Sequence, residues 1–108
     1  MARFLIIGRY AAEGARGLMS AGGSARKTAV EKAVSGLGGR IETFDFAFGE
    51  DDVYTIVDMP NAESIAALAL TVGGSGAVQV RTVVLITPEQ LDGAAALKPD
   101  YAAPGQTG

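Results

Sequence analysis

The sequence predicts an α+β fold: a four-stranded antiparallel sheet with its connecting helices on one face. Two observations carry that prediction. Four apolar segments with strand periodicity are interleaved with two segments of helical periodicity, in the order strand, helix, strand, strand, helix, strand, and a small helix follows. The 108 residues are enough for one core without disulfides or a structural metal, and the composition, 48% hydrophobic and 19% charged, is that of a folded chain.

Residues 2 to 10 read as the first strand, with Phe4, Ile6, Gly8 and Tyr10 on one face and Leu5 and Ile7 on the other. Both faces are apolar, so the strand is expected to be central. The following "AAEGARGLMSAGG" is rich in small residues and glycine, and a broken helical turn and loop, not a long helix, is expected there. A helix begins at Ser24 as N-cap, with Ala25, Ala29, Ala33, Val34 and Leu37 as its apolar stripe, and stops at Gly38-Gly39. Residues 40–48 and 52–59 form a hairpin around Gly49-Glu50-Asp51-Asp52. Phe44 then pairs with Val57, Phe46 with Thr55 and Phe48 with Val53, placing three rings on the helix-covered face. Asn61 caps a second helix with the stripe Ile65, Leu68, Ala69 and Val72, ending at residues 73–76. Residues 77–86 are the fourth strand, and Thr87-Pro88-Glu89-Gln90 is a capping box opening the small helix. The domain is expected to span residues 1–97, and the Pro- and Gly-containing tail, residues 98–108, to be disordered.

This order is the ferredoxin-like βαββαβ pattern, in which right-handed crossovers place both helices on one side of the sheet. The other side is left bare. It would carry Leu5, Ile7, Ala47, Tyr54, Ile56, Val83 and Leu85 among Arg9, Asp45, Asp58 and Arg81. An apolar surface of that breadth calls for a cover, and a second copy stacked sheet to sheet is the expected one, giving a homodimer or higher homo-oligomer.

The run "FAFGEDDVYTIVDMPNAESIAALAL", with "GLGGRIETF" before it and "SGAVQVRTVVLITPEQL" after it, resembles the GYD-domain family over roughly residues 3 to 92. The resemblance implies a small bacterial protein with a ferredoxin-like fold of the dimeric α/β-barrel type and brings no settled reaction with it. The Gly-x-Tyr-Asp motif of that family falls on Gly49, Glu50, Asp51 and Asp52. Glycine and the final aspartate are present, but Asp51 stands where tyrosine is usual, so a role of the ring does not carry over.

With no Cys and no His, thiolate nucleophiles, Cys/His zinc sites and histidine relays are excluded, and any chemistry falls to carboxylates, Tyr, Arg, Lys or hydroxyls. A net charge of -3 with scattered bases argues against nucleic acid as partner. The apolar run between Arg3 and Arg9 is too short for a signal peptide or membrane span, so a cytoplasmic protein without a membrane partner is expected. The acidic tip at Glu50, Asp51 and Asp52 is read as a solvated turn and not a metal site, since consecutive side chains point apart. No metal and no cofactor is expected. The glycine clusters at 36–39 and 73–76 follow helices and are stops, not phosphate loops. Arg26 and Lys27 are read as a solvated pair.

The candidate ligand-binding residues are Arg9, Asp45, Asp52, Tyr54, Asp58 and Arg81, with Asp52 included as the motif acid. Those on the mixed face either line a pocket for a small polar ligand, with Tyr54 or an Asp as acid/base, or pair with one another across the dimer and set its register. The pairing reading is preferred. The function expected is a homo-oligomeric small-molecule-binding domain with no assigned reaction. A cofactor-independent enzyme of oxygenase or isomerase type on a small metabolite, and a structural or assembly module, are the alternatives.

Overall fold

The sheet has the strand order β2-β3-β1-β4, built from β1 (Ala2–Tyr10), β2 (Arg40–Phe46), β3 (Val53–Met59) and β4 (Val78–Leu85), all antiparallel. The structure, a computed structural model, describes residues 1–106. Two of the tail residues expected to be disordered, 107 and 108, lie outside the described residues; 98–106 form no helix or strand. Four helices complete the chain: α1 (Ala12–Ala21), α2 (Gly23–Gly36), α3 (Ala62–Gly74) and α4 (Pro88–Leu97). Sheet and helices together make the ferredoxin-like α+β arrangement. Among the described residues no helix is long and apolar enough to cross a membrane.

β1 is central, as its two apolar faces require. It pairs with β3 from Ala2↔Met59 to Gly8↔Val53 and with β4 from Arg3↔Leu85 to Tyr10↔Val78. Strand alternation sends Phe4 of β1 and Val57 and Met59 of β3 towards the helices. There they meet Val34 of α2 and Ile65 and Leu68 of α3, and these six buried side chains are the core. α3 is held at its start by a reciprocal cap: Asn61 Oδ1 accepts from the Ser64 amide at 2.9 Å and the Asn61 amide donates to Ser64 Oγ at 3.3 Å. Thr87 and Gln90 form the same device at α4, although α4 has no buried residue.

Three expectations need correction. Residues 12–21 are a regular helix, not a broken turn. The low side-chain content there is used for close approach, since a Cβ on Gly14 would collide with the Ala77 carbonyl. α2 is rotated from the alanine stripe: Ala25, Ala29 and Ala33 are exposed, and its inner face is Gly23, Arg26, Val30, Val34 and Leu37. Its N-cap is Gly22, with no side-chain cap, while Ser24 lies inside the helix and its carbonyl accepts from the Thr28 hydroxyl. Alanines bury too little area to orient a helix, so the larger Val30, Val34 and Leu37 decide.

The hairpin register is the third. Phe44 faces Thr55 and Phe46 faces Val53, two residues from the expected pairing, and Phe48 lies outside the strand and fully exposed. Phe44 and Phe46 do lie on the helix-covered face, edge to face with centroids 5.4 Å apart. The shift follows from a longer loop, closed by Ala47 N–H to Asp52 O at 2.8 Å; beyond the phenylalanines a bulge between Ile41 and Thr43 changes the register once more.

Candidate functional site

The face of the sheet away from the helices is organised by register. Ile7 lies between Tyr54 and Arg81, Leu5 between Ile56 and Val83, and Arg3 between Asp58 and Leu85. An apolar band of Leu5, Ile56, Val83 and Leu85 therefore runs across the middle, with charged groups gathered at both ends. Tyr54 and Val83 remain 36% and 40% exposed, while Ile7 is already buried within the chain at 7%.

At the first end, Arg3 Nε donates to Glu42 Oε2 at 2.7 Å. This hydrogen bond, more than simple charge attraction, holds the Glu42 carboxyl below its ordinary value, and the same bond to Glu42 raises that of Arg3. Beside them Arg40 Nη2 lies 2.9 Å from Asp58 Oδ2. Asp58 is 5% exposed, and this oxygen is enclosed without the alignment of a hydrogen bond to any described group.

At the second end, the loop after β2 folds back over the end of β1. Asp52 fastens it: its amide donates to the Gly8 carbonyl at 2.8 Å and its Oδ2 accepts from the Tyr10 amide at 2.8 Å. The fold then delivers Asp51 to Arg81 on β4, Nη2 to Oδ2 2.8 Å. Arg9 closes the same cluster, its Nε donating to the Glu50 carbonyl at 2.9 Å and its Nη2 lying 3.5 Å from Glu50 Oε1. Ile7, Gln79 and these four charged residues line an open pocket of about 410 Å³.

The acidic tip is therefore not the solvated turn that its composition suggested. Only Glu50 extends into water; Asp51 is buried, and its carboxylate is compensated by the Arg81 guanidinium, which stands in mid-strand beside Ile7. The three acids diverge to three different partners, and among the described residues no group of three or more metal-binding side chains converges.

The six candidate residues do not form one cluster. Arg9 and Arg81 share the wall of the pocket. Asp52 is used by the backbone of β1. Asp45 and Tyr54 face one another across β2 and β3, and Asp58 lies at the far end with Arg40. Sequence reasoning missed Glu50 and Asp51 as pocket walls, and Arg3, Arg40 and Glu42 as the opposite charge cluster. Arg81 in the centre of an apolar strand face was the one available signal, because a guanidinium there can compensate an acid delivered by a nearby loop.

Among families of known proteins, the one described as "GYD domain" matches residues 4–95. No curated protein and no solved structure matches the chain.

Proposed function

The chain belongs to the GYD-domain family, and we propose that it works as a homo-oligomeric small-molecule-binding domain in which a second copy covers the open face of the sheet. The observation supporting this is the composition of that face: an apolar band of Leu5, Ile56, Val83 and Leu85 framed by ion pairs at both ends. The band favours removal from water, and the framing charges give a two-fold neighbour a defined register. The pocket between Arg9, Arg81, Glu50 and Asp51 opens on the same face, so a second copy would close it around a small polar ligand. Of the six candidates, Arg9 and Arg81, and through the loop it fastens Asp52, are the ones proposed for that binding, whereas Asp45, Tyr54 and Asp58 lie outside the lining of this pocket. Arg9 and Arg81 contact the ligand, while Asp52 holds the loop that brings Glu50 and Asp51 into place. No residue is assigned a catalytic role, since the charged groups of the pocket already hold partners.

Native mass spectrometry of protein purified from its own host tests both parts together. An even-numbered assembly carrying a small added mass is expected. A bare monomer of 11.0 kDa would overturn the proposal.

A further inference from the structure

The opposite side of the sheet holds a separate cavity of about 40 Å³ between the strands and α2 and α3. Its walls are almost wholly apolar, among them Ile6, Val30, Phe44, Leu68 and Val80. One charged side chain breaks the pattern. Arg26 lies on the inner face of α2, half-buried, and among the described residues its enclosed Nε has no hydrogen-bond partner. Among the described residues no carboxylate forms an ion pair with it. This corrects the reading of Arg26 and Lys27 as a solvated pair, for only Lys27 is exposed.

An enclosed guanidinium nitrogen without a partner is unfavourable, and its position in the first turn of α2 adds the repulsion of the helix dipole. No fold requirement explains it, because Val30, Val34 and Leu37 already seat the helix. A position that breaks the local pattern without compensation points to a role beyond packing. An anion bound there would satisfy it. The cavity says what the rest of that anion is made of: apolar walls, and room for roughly three or four heavy atoms at about 10–15 Å³ of such volume each.

We propose that the cavity beneath α2 and α3 binds a small apolar carboxylate, its hydrocarbon end among Val30, Phe44, Leu68 and Val80 and its carboxylate on the Arg26 guanidinium. Entry is from a groove of about 440 Å³ between α1, α2 and the turn before β4, which shares Tyr10, Arg26 and Val78 with the cavity. The site lies within one chain and does not depend on the sheet-face assembly.

Titration of the full chain with sodium pentanoate, followed by amide chemical shifts, tests this against two partial probes. Pentan-1-ol has the tail without the charge, and inorganic phosphate has charge without a tail. Pentanoate is expected to shift the amides of Val30 and Leu68 and to bind about tenfold or more tighter than pentan-1-ol. Arg26→Gln should remove that advantage while leaving the alcohol unchanged. Ala69→Leu, which fills the cavity from α3, should abolish both. Equal affinities for acid and alcohol in the wild type, an Arg26→Gln variant that binds pentanoate as tightly as the parent, shifts produced equally by phosphate, or no shift at all would each overturn the proposal.

Discussion

Single side chains divide into those the fold uses twice and those it uses once. Asp51, in the loop after β2, is buried against Arg81, so its burial depends on that partner. Arg81→Ala would leave a buried carboxylate unpaired, and since the arginine is itself largely exposed we expect a loss of about 1–2 kcal/mol. Urea denaturation measures it; an unchanged midpoint would show that Asp51 relaxes into solvent. Glu42 is a pH-dependent counterpart. Its carboxyl is held low by the Arg3 hydrogen bond, so its contribution to stability is fully present above the ordinary glutamate value of about 4.3 and is lost as pH falls through the lower folded value. Thermal melts across this acidic window should therefore show a shallower decline for Glu42→Gln than for the parent. Parallel curves would mean that the Arg3 contact adds nothing.

Secondary-structure elements were legible in proportion to how locally they are determined. Asn61 and Thr87 announce their helices because a cap is satisfied within four residues, and both caps form as expected. The two should differ in consequence. Asn61→Ala should lower global stability by about 1 kcal/mol, because α3 carries Ile65 and Leu68 into the core, whereas Thr87→Ala should leave the global transition unchanged and lower only helical content, because α4 buries nothing. Equal effects in chemical denaturation would contradict this assignment of the core. The strand faces were also legible, since alternation is a local rule. What was not legible depended on distant partners: α1 packs closely on Ala77 through Gly14, α2 turns an arginine inward, and the loop of the hairpin is tied by Asp51 and Asp52 to β4 and β1. For the same reason the candidate site was read in outline only. Arg9 and Arg81 could be placed on their face from the strand pattern, but their partners arrive from a loop whose path no local spacing encodes.

At the scale of the molecule, the chain is longer than its size requires. Its radius of gyration is 17.4 Å and its longest dimension 60 Å, against about 13 Å for the radius of a compact domain of this length. The C-terminal part contributes to this extension, for α4 and Tyr101 are exposed, as are Val84 and Ile86 before them. Together with the apolar band of the open sheet face, these residues leave several large hydrophobic side chains uncovered. Among the hydrophobic residues of that face, Val83 is the one to perturb: it is 40% exposed, whereas Ile7 is already covered within the chain. Light scattering on the parent and on Val83→Asp asks the question directly. The account predicts a mass of about 22 kDa or a higher even multiple for the parent, twice the chain mass of 11.0 kDa or more, falling to a single chain in the variant. A parent that scatters as one chain, or a variant whose mass does not change, would contradict it.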